Sequence, residues 1–235
     1  MLVLAIETST PQTSVALGTE QGVLGSALLS WGKGHSEIAV PAIDHLFDWA
    51  EIRPGQVGGV AVGLGPGLFT GLRVGVSTAR ALAQVLRVPI VGIGSLDALA
   101  FSVRYSRWRI VAVTDGKRGE VFYASYRPVP GGVARETGYL VCPPERLAAE
   151  LEASGEETLL VGGGALLYRR QLEDGGGGRM EFASTSRAFP DAESLLELAL
   201  PRFHREETSR PDEVVPFYVR KSDAEIDWGR AGRVA

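Results

Sequence analysis

The spacing of apolar and polar positions divides the chain into short strands and amphipathic helices. Residues 2–6, Leu-Val-Leu-Ala-Ile, are apolar without a break and predict a strand buried on both faces. The turn Glu7-Thr8-Ser9-Thr10-Pro11 ends it, and strands over 14–18 and 22–31 complete a three-strand meander. A helix over 36–50 follows, with Ile38, Ala39, Ala42, Ile43, Leu46, Phe47 and Ala50 at three- and four-residue steps. Pro41 then belongs to its first turn or so, where a missing N–H does little harm. Val57–Val62 reads as a short buried strand, and the loop Gly63–Thr70 leads into a helix over 71–87 with Thr70 as N-cap. That helix sorts its faces: Arg73, Ser77, Arg80, Gln84 and Arg87 form a polar stripe, and Leu72, Val76, Ala79, Ala83 and Leu86 an apolar one. Gly71, Gly75 and Thr78 add small residues that permit a close approach. A strand over 90–93 and a Ser95-capped helix over 96–103 close this half.

A similar order then begins again. Strands over 109–114, 120–127 and 133–141 precede a helix from Pro144 to 153, a strand over 158–161 and a helix over 165–172. Gly175 to Gly178 reads as a flexible loop, and Pro190-Asp191 opens a helix to 204. The tail after Ser209, with Pro211 and Pro216, is expected to lie across the body. The expected fold is α/β, a duplicated β-β-β-α-β-α unit, with lobes at 1–104 and 105–235. The halves share element order, not visible sequence identity.

Composition narrows the function. The 235 residues are 45% hydrophobic, enough for a normal core, and the formal net charge is -4. A chain that grips nucleic acid alone usually carries a basic surface, so the main grip on any RNA is expected elsewhere. One cysteine, Cys142, allows no internal disulfide and suits a reducing cytoplasm; it reads as a small buried hydrophobe. The N-terminus meets Glu7 after a short apolar run and reads as a strand, not a signal. No run of about 18 apolar residues suggests a membrane span.

Chemistry-bearing motifs are sparse. Thr8, Ser9 and Thr10 sit on the first turn, and Asp115, Gly116, Lys117 and Arg118 on the matching turn of the second half. Two such turns facing each other across a cleft could cradle a nucleotide phosphate; the alternative is two ordinary tight turns. The Gly63–Thr70 loop fails the dinucleotide fingerprint, because Thr70 replaces its third glycine, and no Gly-Lys pair is followed by Ser or Thr as a P-loop requires. Gly75-Val-Ser77-Thr-Ala79 lies inside a helix, unlike a nucleophile elbow. The histidines His35, His45 and His204 supply no His-x-x-x-His pair, since Ala39 and Trp49 stand at the i+4 positions. His35 is expected to cap or pack near a helix start.

Five stretches carry a family resemblance: IETSTPQTSVAL (6–17), GHSEIAVPAIDHLF (34–47), GPGLFTGLRVGVSTARAL (65–82), TDGKRGEVFYASY (114–126) and VVPFYVR (214–220). Together they resemble the TsaB (YeaZ) family, with GPGLFTGLR the most specific. The resemblance implies an actin-like, ribonuclease H-like two-lobed fold. It implies a cytoplasmic partner subunit without catalytic residues, acting with TsaD and the ATPase TsaE. That complex transfers threonylcarbamoyl to N6 of adenosine 37 in tRNAs reading ANN codons. The metal ion and ATP or ADP would belong to TsaD and TsaE, leaving this chain no cofactor. Leu68 stands where the family usually has Ser, and Gly116 where Ala is usual.

The family's partner and homodimer contacts use the two helices after the meander. Ile43, Leu46, Phe47, Leu72, Val76, Ala79 and Ala83 are therefore expected to line the interface; the alternative is that they pack on the chain's own sheet. Rival readings are a stand-alone actin-fold kinase, with Glu7 or Asp115 as catalytic acid, and a peptidase.

Overall fold

The structure, a computed structural model, describes residues 1–30, 34–175 and 179–219. The first half forms β1 (Val3–Glu7), β2 (Thr13–Thr19), β3 (Gly22–Leu29), α1 (His35–Trp49), β4 (Gly59–Gly63), α2 (Phe69–Leu86), β5 (Ile90–Ile93) and α3 (Ser95–Phe101). The second forms β6 (Arg109–Lys117), β7 (Glu120–Val129), β8 (Gly132–Arg135), β9 (Leu140–Cys142), α4 (Pro144–Ser154), β10 (Thr158–Val161), α5 (Gly163–Leu167), α6 (Arg169–Gly175), β11 (Met180–Phe182) and α7 (Ala192–His204). The first sheet runs β3-β2-β1-β4-β5 and the second β8-β7-β6-β10-β11, with β9 paired to β7. In each, the meander pairs antiparallel and the later strands add in parallel. The expected duplicated actin-like, ribonuclease H-like arrangement is therefore present.

Several elements depart from the sequence reading. Pro41 lies in the second turn of α1, not the first, and is exposed to solvent. Thr70 and Ser95 are inside their helices, which start one or two residues earlier without side-chain caps. The strand expected over 133–141 is two strands, the helix over 165–172 breaks at Tyr168, and β11 has too short an apolar run to stand out. Of the Gly175–Gly178 loop, Gly175 ends α6 and the rest lies outside the described residues. Asp191 does cap α7, accepting from the Ser194 N–H at 2.6 Å.

β1 is buried along its whole length and separates two cores. Leu4 and Ile6 face α1 and α2, where they meet Ile43, Leu46, Phe47, Val76, Ala79 and Ala83. Val3 and Ala5 face the other way, against Leu195, Leu196, Ala199 and Phe203 of α7. α7 thus belongs by packing to the first sheet, although it comes from the second half of the chain. The exchange is mutual: Leu96, Leu99 and Ala100 of α3 pack on Ile110, Ala112 and Tyr126 of the second sheet. A boundary at residue 104 divides the sequence but not the packing.

The tail does cross the body. Ser209 pairs with Ile90, Val214 is buried in the first core, and the Phe217 N–H donates to the Leu64 carbonyl at 2.8 Å. Residues 220–235 lie outside the described part.

All seven side chains expected at the interface are at most 6% exposed, so they form this chain's own core and do not line a free surface. The physical reason is that an α/β/α layer covers each sheet face with helices, and the apolar stripe is spent there. Leu72→Ala should accordingly lower the unfolding free energy by about 2–5 kcal/mol in urea titration. A change below about 0.5 kcal/mol would be that of a surface position.

Candidate functional site

The β1–β2 turn is held by hydrogen bonds to the glycine loop and the two helices after it. The Glu7 carboxylate is fully buried; it accepts from the Ser9 N–H at 2.6 Å and from the Ser95 hydroxyl at 2.8 Å. Ser95 in turn accepts from the Gly65 N–H at 3.1 Å, and its own N–H donates to the Gly65 carbonyl at 2.8 Å. The Thr8 hydroxyl donates to the Gly71 carbonyl at 2.8 Å, and the Leu68 N–H donates to the Ser9 carbonyl at 2.7 Å. Gly71 and Gly75 face this turn so closely that a Cβ on either would run into Thr8. Gly71 and Gly75 of α2 thus admit the turn, and Gly71 also lies against His35 at the start of α1. The Gly63–Thr70 loop spends the Gly65 and Leu68 N–H groups on this packing.

The second turn joins β6 to β7. Asp115 accepts from the Lys117 N–H at 2.8 Å and from its ammonium at 2.7 Å. Lys117 and Arg118 both take left-handed backbone, with φ of 61° and 58°, the conformation of a tight primed hairpin. Gly116 is buried against the Glu120 carbonyl, where a Cβ would sit at 3.0 Å. A glycine there therefore fits the turn more comfortably than alanine.

The two turns face each other across a pocket of about 220 Å³. Ser9, Thr10, Asp115 and Lys117 line it, joined by Leu68 of the glycine loop and by Thr114, Leu167 and Phe189, which the sequence did not single out. Thr8, Gly116 and Arg118 are not among its lining residues. The hydroxyls of Thr10 and Thr114 are buried without a partner among the described residues. The Ser9 hydroxyl lies close enough to the Glu7 carboxyl to favour its ionised form but makes no well-formed hydrogen bond.

The pocket is a poor fit for a nucleotide. Its volume is below the roughly 300–1,000 Å³ of ordinary small-molecule sites. Gln12, beside it, donates to the Pro190 carbonyl at 3.4 Å, just ahead of α7. Its only ionised lining groups, Asp115 and Lys117, pair with each other and leave no net positive charge for phosphates.

A metal fits no better. Among the described residues, no group of three or more His, Cys, Asp or Glu side chains is placed to hold one. His35 packs at the start of α1, its Nδ1 2.7 Å from the Thr13 hydroxyl, and burial lowers its pKa. Cys142 is buried beside Tyr123, and burial raises its pKa.

Burial is also the main influence on Glu7, raising its pKa against the opposing pull of the Ser9 and Ser95 hydrogen bonds. A carboxyl whose pKa is raised on folding holds its proton longer in the folded state. Stability therefore falls as pH climbs from about 4.5 through the raised value. Glu7→Gln should remove that slope, read by urea denaturation between about pH 4 and pH 8. Parallel pH profiles for variant and wild type would show the assignment to be incorrect.

Comparison with known proteins adds the following. The family described as "TsaD: tRNA N6-adenosine threonylcarbamoyltransferase" matches residues 30–228. The tRNA threonylcarbamoyladenosine biosynthesis protein TsaB of Bacillus subtilis is 35% identical over 127 residues, 54% of this chain and 56% of that protein. The chain thus matches little more than half the length of that relative. TsaB of Escherichia coli is 26% identical over 95% of this chain and 96% of its own. The solved structure of YeaZ from Pseudomonas aeruginosa superposes with a TM-score of 0.80 and 29% identity, covering 92% of this chain and 99% of that one.

Proposed function

The chain belongs to the TsaD family, in its TsaB (YeaZ) group, and on that footing we propose that it is a non-catalytic partner subunit. Its part is in tRNA threonylcarbamoyladenosine modification. It would hold TsaD, together with TsaE, in the complex that modifies N6 of adenosine 37. Chemistry, nucleotide and metal would lie with those partners, and this chain would meet tRNA mainly through the complex.

The observation that carries the partner role is the outer face of the helix pair, opposite the buried stripe. Val40, Trp49 and Val85 are 58%, 74% and 78% exposed. Glu37, Asp44 and Asp48 give the exposed side of α1 a negative charge. α2 contains no acidic residue, and Arg73, Arg80 and Arg87 run along it at seven-residue steps. None of these six charges makes an ion pair among the described residues. Two neighbouring helices of opposite charge, with apolar residues between the charged ones, suit a partner that presents a matching pair. A second copy of this chain, related by a two-fold axis, satisfies the same pattern.

The test is the double substitution Trp49→Glu with Val85→Glu. Both sites are exposed, so folding should survive while co-purification with TsaD falls at least tenfold, about 1.4 kcal/mol, the scale of interface anchors. Reconstituted threonylcarbamoyl transfer should fall with it. A folded variant that binds TsaD and supports modification as well as wild type would refute this surface. Sedimentation of the isolated chain shows whether the same substitutions change its oligomeric state.

A further inference from the structure

The pocket between the two turns has chemistry that the partner role does not use. Ser9, Thr10 and Thr114 are 1%, 5% and 3% exposed, and their hydroxyl oxygens have no hydrogen-bond partner among the described residues. All three residues line this one pocket of about 220 Å³. A buried hydroxyl left unpaired is costly, and natural interiors seldom keep one without a ligand or water to satisfy it. Here three occur together.

The rest of the lining narrows the ligand. The only ionised groups are Asp115 and Lys117, bound to each other at 2.7 Å, so the pocket is neutral overall. Placing a net anion there would leave a buried charge unmatched. Apolar side chains from Leu68, Leu167 and Phe189 fill the remaining wall. A fitting ligand is small, carries opposite charges at one end and is aliphatic at the other.

We propose that this pocket binds a free α-amino acid with a short aliphatic side chain. Its carboxylate accepts from the Thr10 and Thr114 hydroxyls and from Lys117, while its ammonium donates to Asp115. Both charges are then answered without net charge entering the site. The side chain lies against Leu68 and Phe189. The proposal concerns the inter-lobe cleft and stands apart from the outer helix surface, so either can fail alone.

The test uses the full chain and calorimetric titration. L-Valine should bind saturably, while L-valinamide, which lacks the carboxylate, should bind at least tenfold more weakly. ADP and inorganic phosphate should give no saturable heat. Thr114→Val should weaken L-valine binding by about tenfold, the loss of one hydrogen bond to a charged group. The same variant, free of ligand, should melt no lower than wild type, because it removes an unpaired buried hydroxyl. Thr10→Val, which removes the other hydroxyl assigned to the carboxylate, is the second variant should Thr114→Val fold poorly, with the same weakening expected. No saturable binding of L-valine up to about 10 mM would overturn the proposal. So would binding of ADP or phosphate in its place, full L-valine affinity in the variant that folds, or a lower melting temperature of ligand-free Thr114→Val.

Discussion

The buried Glu7 carboxylate is the fixed point from which the first lobe is organised. An ionisable group taken wholly out of water survives only with hydrogen bonds, and Glu7 obtains them from the Ser9 N–H and the Ser95 hydroxyl. Those two bonds tie the end of β1 to the start of α3. Ser95 extends the link to Gly65, and Leu68 returns it to Ser9. One carboxylate thereby sets the position of the first turn, the glycine loop and two helix starts. Gly71 and Gly75 are the steric condition for this, since side chains there would push α2 off the turn.

The same clamp decides what the cleft can be. With the turn drawn down onto α2, Ser9 and Thr10 are buried instead of standing free as phosphate donors. The exchange of α3 and α7 between sheets then binds the lobes on both sides of the chain midpoint. Gln12 reaches the Pro190 carbonyl just ahead of α7. The outcome is a small neutral pocket in the place where two facing turns could have cradled a nucleotide.

The outer helix surface follows from layer packing. α1 and α2 each bury one stripe on the first sheet, and what faces water is the complement of that stripe. Its charged residues make no ion pair within the described chain, and Trp49 and Val85 stand exposed on the same helices. The mild overall acidity hides this division, because a basic α2 and an acidic α1 largely cancel in a sum. Net charge alone is therefore a weak guide to what these helices meet.

The sequence by itself determined the order of elements, the burial of β1, the two turns at matching places and the family. Each of these depends on local periodicity or on a contiguous run such as GPGLFTGLR, which need no partner to be read. The lone His35 with Ala39 one turn on was legible in the same way. Tertiary structure decided which surface each stripe met. Leu72 and Val76 read equally well as core or as interface, because periodicity reports that a face is apolar and not what covers it. The exchange of α3 and α7 was hidden for the same reason: Leu96 and Leu195 announce buried helices but not the sheet beneath them. Thr114 drew no notice in sequence, being one more residue of a strand. Only the folded chain, by bringing residue 114 beside residues 9 and 10, made its hydroxyl part of a site.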